Sequence, residues 1–317
     1  MDKKKWPVDD LPAARSPMRL WKASDPEEIA ELDAALAMFM EVRPRLFSIA
    51  YRMLGSVADA EDLLQETWMR WQHYDRDTVE EPAAFLTTIV TRMAINELRS
   101  ARVRREAYVG PWLPEPIDTG SDPELAAEDD ETIELGVLFL LERLAPAERA
   151  AYVLHEAFAY PYSRIAEVIE TTEANARQLA SRARRHLAVE RGATVGLAEQ
   201  RRFLVAFLAA ARAGDIAQLE ALLTADIVSH SDGGGAVRTA RIPLTGRHRV
   251  ALFVAAIADW FLPDVDIRWA EVNGRAAGIF VFEGQEIGML TASATSAGLD
   301  HLYWMMNPAK LGAVIVA

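Results

Sequence analysis

The sequence has 317 residues and not one cysteine. That absence removes disulfide frameworks, thiolate nucleophiles, zinc fingers and iron-sulfur clusters together, and it suits a reducing compartment. Long apolar runs are missing too. Val250 to Ala258, the longest in the C-terminal half, ends at Asp259, well short of the about 20 residues that a hydrocarbon layer requires. At the N-terminus, Lys3, Lys4 and Lys5 are followed by Trp6, Pro7, Asp9 and Asp10 instead of an apolar segment, so no secretory signal is expected. The expectation is a cytoplasmic protein without a membrane partner. Positive charge is also scarce: 34 Lys and Arg stand against 47 Asp and Glu, a formal charge of -13. Such a field slows the approach of the whole chain to phosphates. Disorder and collagen-like repeats are excluded by the 51% hydrophobic content. The length exceeds the roughly 250 to 300 residues that one core serves, so several domains are expected.

The scarce positive charge is concentrated. Arg92, Arg99, Arg102, Arg104 and Arg105 form one basic cluster, and Arg177, Arg182, Arg184, Arg185 and Arg191 form another. Between them, Glu115 to Glu134 is acidic without a single base. The sequence therefore reads as two basic lobes on an acidic tether. Pro7, Pro12, Pro17 and Pro26 break helix propagation, which makes residues 1–30 an N-terminal extension. Apolar residues then recur at threes and fours from Glu31 to Arg105, predicting packed amphipathic helices over 31–106, punctuated at Gly55 and Ser56. Residues 107–132 are a proline-rich acidic linker. Within it, Trp112 and Leu113 are apolar groups that a purely solvated tether would not carry, so this stretch is expected to dock. A second helical block covers 133–191. Beyond it, 195–317 starts with helices and ends in strands separated by the turns Asn273-Gly274, Glu283-Gly284 and Ala297-Gly298, an α+β pattern.

Three helices carry chemistry on their exposed faces. Asp59, Asp62, Gln65 and Glu66 precede Trp68 on one helix, and the spacing of Asp62, Gln65 and Glu66 forms a carboxylate face suited to a basic protein partner. The same acids also complement a helix N-terminus. The next helix sets Thr88, Arg92, Asn96 and Arg99 along one side, able to meet phosphates and unpaired bases. In the second block, Tyr162 to Ile169, a turn, and Thr172 to Leu187 read as helix-turn-helix. There Arg177, Gln178, Ser181, Arg182 and Arg185 lie opposite the apolar stripe, where arginine and glutamine can read base edges in a major groove. A solvated arginine-rich surface helix has the same composition.

The runs Asp59-Ala60-Glu61-Asp62-Leu63-Leu64-Gln65-Glu66-Thr67-Trp68, Phe85-Leu86-Thr87-Thr88-Ile89 to Leu98-Arg99, and Ser181-Arg182-Ala183-Arg184-Arg185 together resemble extracytoplasmic-function sigma factors. The resemblance implies two all-α domains, a region 2 bundle and a region 4 helix-turn-helix. It implies binding to core RNA polymerase through the β' clamp helices and the β flap, with Asp59, Asp62, Gln65, Glu66 and Trp68 on the polymerase side. Thr88, Arg92, Asn96, Arg99 and Arg102 would then meet the promoter -10 element, and Arg177, Gln178, Ser181, Arg182 and Arg185 the -35 element. Neither a cofactor nor a metal is implied.

Trp112-Leu113-Pro114-Glu115-Pro116, Asp232-Gly233-Gly234-Gly235 and Asn307-Pro308-Ala309-Lys310-Leu311 are similar to the signatures of one subgroup, whose members carry a C-terminal SnoaL-like domain. Its implied fold is an α+β cone with a curved antiparallel sheet. Its implied role is control of the sigma domains in cis, through contacts from Trp112, Asp232, Gly233, Gly234, Gly235, Asn307 and Lys310. Where the subgroup usually has lysine and aspartate, this chain has Ala236 and Ala309. Two alternatives give the last domain other work. A helix-turn-helix regulator would use it to sense a small ligand, in a cavity walled by Trp260, Phe280, Tyr303 and Trp304. A SnoaL-type cyclase or hydrolase would use His230, Asp232, Asp300 and His301 as acid-base groups. Asp264 and Asp266 have metal-like spacing but no further ligands nearby, so they read as a loop before a strand.

Overall fold

A computed structural model describes residues 26–120, 133–190 and 194–312, with side chains at 29–100, 107–120, 133–188 and 194–312. The N-terminal extension up to residue 25, most of the acidic run (121–132) and Arg191 lie outside the described residues, as does the Arg102 side chain. Helix α1 (Pro26–Leu54) begins ahead of the periodic pattern and runs through Pro44. It stops at Gly55, whose φ of +66° only glycine adopts cheaply and whose N-H closes the last turn onto the Tyr51 carbonyl at 2.7 Å. Ser56 then caps α2 (Val57–Gln72), its Oγ accepting from Asp59 N at 3.1 Å. Helix α3 (Pro82–Glu106) opens on a proline, which has no N-H to lose there.

The second block contains α4 (Leu135–Leu141), α5 (Pro146–Glu156), α6 (Tyr162–Val168) and α7 (Glu173–Glu190). The two blocks are not beads on a string. A single buried apolar cluster runs from Ala35 on α1 to Leu187 on α7. Its polar margin is arginine: the Arg45 guanidinium lies 5.5 Å from the Phe158 ring and 5.1 Å from Tyr160, an attraction that strengthens on desolvation. Arg149, itself buried, donates from Nε to the Arg52 carbonyl at 3.0 Å and pairs with Glu142. Burial lowers its guanidinium to about 9.

The C-terminal domain has α8 (Leu197–Ala213), α9 (Ile216–Leu222) and α10 (Arg247–Phe261), with strands β1 (Leu223–Asp232), β2 (Leu244–Thr245), β3 (Asp266–Val272), β4 (Arg275–Phe282), β5 (Gln285–Thr295) and β6 (Gly298–Met305). The expected antiparallel meander is present from β3 to β6. Strand β1 was not expected, because its buried positions include Ser229, His230, Ser231 and Asp232 instead of an apolar alternation. It pairs parallel to β6, so the six-stranded sheet is mixed, in the order β2-β1-β6-β5-β4-β3.

Alternation along the strands splits the core in two. Phe280, Leu290, Leu302 and Trp304 face the domain's own helices. Ile279, Met289, Tyr303 and Met305 face the other way, where Leu113 of the linker and Leu135 of α4 complete a separate cluster. Both sheet faces are thus covered, one of them by the rest of the chain.

Residues 108–120 act as a strap between the helical blocks and this sheet. Asp118 bridges to Val272 on the β3 edge, and Thr119 N donates to the Glu271 carbonyl at 3.1 Å. Asn273 is the node. Held at φ +52° and fully buried, it donates from Nδ2 to the Tyr51 hydroxyl at 2.8 Å and to the Ile133 carbonyl at 2.9 Å. Its Oδ1 accepts from Ile117 N at 3.1 Å. An Asn273→Ala variant leaves the Ile117 N-H and the Ile133 carbonyl dry and unpaired, while the Tyr51 hydroxyl keeps the Glu115 carbonyl as its acceptor, so it is expected to lose about 3 kcal/mol at roughly 1–3 kcal/mol per orphaned group. Urea unfolding followed by circular dichroism measures this, and a loss below about 0.5 kcal/mol would show that the node is idle.

Candidate functional site

Helix α2 presents Asp62, Gln65 and Glu66 to solvent. Glu66 pairs with Arg70 at 2.6 Å on the open surface, a bond of little energetic weight. Asp59 and Trp68 are half-buried, and the Trp68 ring leans on Phe39 with centroids 5.2 Å apart. The start of α2 is held from outside by the strap. Glu115 Oε2 accepts from Val57 N at 2.6 Å and from Ala58 N at 3.3 Å, while Ser56 Oγ donates to its other oxygen at 3.0 Å. A carboxylate placed there satisfies orphan N-H groups and meets the positive end of the helix.

On α3 the expected row of base-contacting residues is divided. Asn96 and Arg99 are exposed, Arg99 Nη1 donating to Asn96 Oδ1 at 3.3 Å. Thr88 is half-buried, with its hydroxyl donating to the Ala84 carbonyl of its own helix. Arg92 is a correction: it is buried and faces the second block instead of solvent. Its Nε donates to the Val168 carbonyl at 2.8 Å, one terminal nitrogen to the Glu167 carbonyl at 2.9 Å, and the other pairs with Glu170 at 2.9 Å. The guanidinium caps the C-terminal end of α6, where unpaired carbonyls and the helix dipole favour a cation.

The helix-turn-helix forms as expected, with Thr172 Oγ1 accepting from Asn175 N at 3.2 Å at the start of α7. Arg177, Gln178 and Arg185 are exposed. Arg177 is steadied by Glu173 at 2.9 Å and by the Tyr162 ring at 5.2 Å. Ser181 is half-buried, and Arg182 reaches back to Glu148 of α5 at 2.7 Å.

The signatures flanking the C-terminal sheet meet at one buried ion pair. Asp232 Oδ2 sits 2.8 Å from Lys310 Nζ and accepts from Leu113 N at 2.9 Å; its Oδ1 accepts from the Tyr108 hydroxyl at 2.6 Å and from Gly234 N at 3.0 Å. Lys310 also donates to the Leu113 carbonyl at 2.5 Å and lies 4.1 Å from the Trp112 ring centroid. Asn307 Nδ2 donates to the Tyr108 oxygen at 2.9 Å. Burial and the adjacent Asp232 carboxylate push the Tyr108 hydroxyl above its ordinary range, so it remains a donor. The glycines are required by space. A Cβ on Gly234 would lie 2.4 Å from Asn307 Nδ2, and one on Gly233 would lie 2.2 Å from the Val237 carbonyl. Gly235, at φ +75°, packs beside Val109 of the strap. Ala236 and Ala309 are both exposed.

The acid-base candidates do not assemble as a set. Asp232 is committed to Lys310, whereas His230, Asp300, His301 and Tyr303 line a separate cavity of about 30 Å³ together with Phe139 and Arg143 of the second block. The expected aromatic walls are corrected. Trp260 is 71% exposed, and Phe280 and Trp304 stack 6.0 Å apart in the helix-facing core; only Tyr303 lines the cavity. Asp264 and Asp266 join no cluster of possible metal ligands among the described residues. Sequence reasoning missed Tyr108, Glu115, Asn273 and Phe139. Asn273 was visible only as a turn residue, and Glu115 only as one acid in a run and one position of the Trp112 to Pro116 signature, with no partner assigned.

Comparison with known proteins matches both helical blocks and most of the chain. The sigma-70 region 2 family matches residues 38–104, and the sigma-70 region 4 family matches residues 135–187. The extracytoplasmic-function RNA polymerase sigma factor SigJ of Mycobacterium tuberculosis is 40% identical over 230 residues, 71% of this chain and 73% of that one. The probable sigma factor SigI of the same organism is 28% identical over 287 residues, 89% of this chain and 97% of that one. The crystal structure of Mycobacterium tuberculosis SigJ aligns with a TM-score of 0.71 at 33% identity, covering 88% of this chain and 98% of that one.

Removing one partner of the buried ion pair strands the other. Lys310→Met is expected to cost about 3–5 kcal/mol, because the Asp232 charge is then uncompensated. Asp232→Asn combined with Lys310→Met is expected to cost clearly less than the two single changes added together. Chemical denaturation of the four proteins gives the coupling, and strict additivity would contradict the pairing.

Proposed function

The chain belongs to the extracytoplasmic-function sigma factors of RNA polymerase, and we propose that its C-terminal domain holds it in a closed form that polymerase and promoter must open. As a sigma factor it binds core RNA polymerase and promoter DNA and directs transcription initiation. The assignment of surfaces is our reading. The exposed face of Asp62, Gln65 and Glu66 engages the β' clamp helices, with Asp59 and Trp68 bracing it from behind. Arg177, Gln178, Ser181, Arg182 and Arg185 read the -35 element, and the same block meets the β flap. Asn96 and Arg99, with Thr88, Arg102 and, once it is released from α6, Arg92, serve the -10 element.

The observation that carries this reading is Arg92. It lies on the -10 row, yet its guanidinium is spent on the carbonyls of α6 and on Glu170. One side chain cannot cap that helix and contact DNA together, so promoter binding requires the two helical blocks to part. The strap supports the in-cis role of the last domain. It joins the α2 N-terminus, through Glu115, to Asp232, Lys310 and Asn273 of the C-terminal domain. A tethered domain acts at an effective concentration of about millimolar, so modest contacts suffice. Bond chemistry is no part of this reading, since the candidate acid Asp232 is locked in an ion pair.

Two measurements test it. Charge reversal of the open acidic face, Asp62→Lys with Glu66→Lys, is expected to weaken binding to purified core at least tenfold by fluorescence anisotropy while leaving the melting temperature unchanged. Undiminished binding would remove α2 from the polymerase interface. Glu170→Gln weakens the closed contact by the roughly 0.2–1 kcal/mol typical of a solvent-accessible pair. Run-off transcription at limiting sigma factor should then rise up to about fivefold. Equal or lower output would argue against restraint by closure.

A further inference from the structure

Phe139 is a ring that the chain supplies to its own C-terminal domain. It projects from α4 and packs against His230 with centroids 4.7 Å apart and against the edge of Tyr303 at 6.1 Å. The close approach depends on Gly136, one turn earlier, where a Cβ would lie 2.9 Å from the Tyr303 hydroxyl oxygen. Behind Phe139 the rings of His230, His301 and Tyr303 stand nearly parallel, 5.7 to 6.1 Å apart, as a flat wall built from β1 and β6. The space that remains, about 30 Å³, has room for about one water.

A polar atom on this wall is left over among the described residues. His230 is 4% exposed, and its Nδ1 is buried without a hydrogen-bond partner among the described residues, which is costly in a native interior. Burial, with His301 and Arg143 adding to it, lowers the His230 ring to about 4, so it is neutral at physiological pH. Next to it, burial opposes the Asp300 charge, but hydrogen bonds from His301 and Ser293 outweigh it and hold the carboxylate below its ordinary range. The wall therefore combines aromatic faces with an unused neutral imidazole nitrogen, and an aromatic side chain already occupies its mouth.

We propose that this cavity is a binding site for a small single-ring aromatic molecule bearing a hydrogen-bonding oxygen, of the phenol class, which takes the place of the Phe139 ring and bonds His230. Since Phe139 belongs to α4, binding and the docking of α4 on the sheet exclude each other. The link from site to promoter use rests on the in-cis reading above; the site itself does not.

Titration of the full chain followed by ¹⁹F NMR, with 4-fluorophenol and fluorobenzene as probes, tests the site. Phe139→Ala is expected to bind 4-fluorophenol at least tenfold more tightly than the unaltered chain does, and to prefer it to fluorobenzene at least fivefold. The added change His230→Phe should abolish the preference while fluorobenzene still binds. Phe139→Leu, which keeps α4 packed, should give an intermediate gain and guards against misfolding of the alanine variant, as does a thermal melt of each protein. Binding no tighter in either Phe139 variant, or equal binding of the two probes, would mean a packing void or a water site and would overturn the proposal. If 4-fluorophenol binds as expected but saturating probe leaves run-off transcription unchanged, the in-cis reading fails and the site stands.

Discussion

A buried charge must be answered, and the answer to Asp232 organises the molecule. Its two oxygens take a lysine, a phenol, a backbone amide of the strap and a glycine amide. Leu113 is gripped on both sides, its N-H by the carboxylate and its carbonyl by the lysine. A pair of this kind adds little net stability over an apolar substitute but penalises every arrangement in which one member is missing. It therefore specifies where the strap goes, and the strap in turn sets Glu115 against the first turn of α2.

Much of the architecture was legible in the sequence because helices announce themselves locally. Gly55 and Ser56 marked a stop and a start, and the strand turns at Asn273-Gly274 and Ala297-Gly298 fell where the chain reverses. Trp112 and Leu113 were out of place in a solvated tether, and they do dock. Strand β1 was hidden because its buried positions are polar and are satisfied only by partners far away in sequence, as when Trp304 Nε1 donates to Ser229 Oγ at 3.1 Å. The unbroken apolar stretch from Ala276 to Phe282 held a signal that was not used: a strand apolar on both sides has both faces covered.

The candidate interfaces were legible as helix faces but not as states. Spacing placed Arg92 in a row with Asn96 and Arg99, and the row exists. What spacing does not encode is which block packs over which residue of that row, since the partner carbonyls of Glu167 and Val168 lie some seventy-five positions away. In the same way Asp62 and Glu66 stay open because the next layer packs on the opposite side of α2, where Leu63, Leu64, Thr67 and Trp71 are buried.

The order of strands has a consequence for how the protein is made. Strand β6, the last of the sheet, is also an interior one, inserted between β1 and β5. Lys310 follows a few residues later. A nascent chain emerges from its N-terminus onward, so the helical blocks leave the ribosome first, while the sheet still has a gap and the counter-ion of Asp232 has not been synthesised. For that interval every newly made molecule carries its helical blocks without the completed clasp.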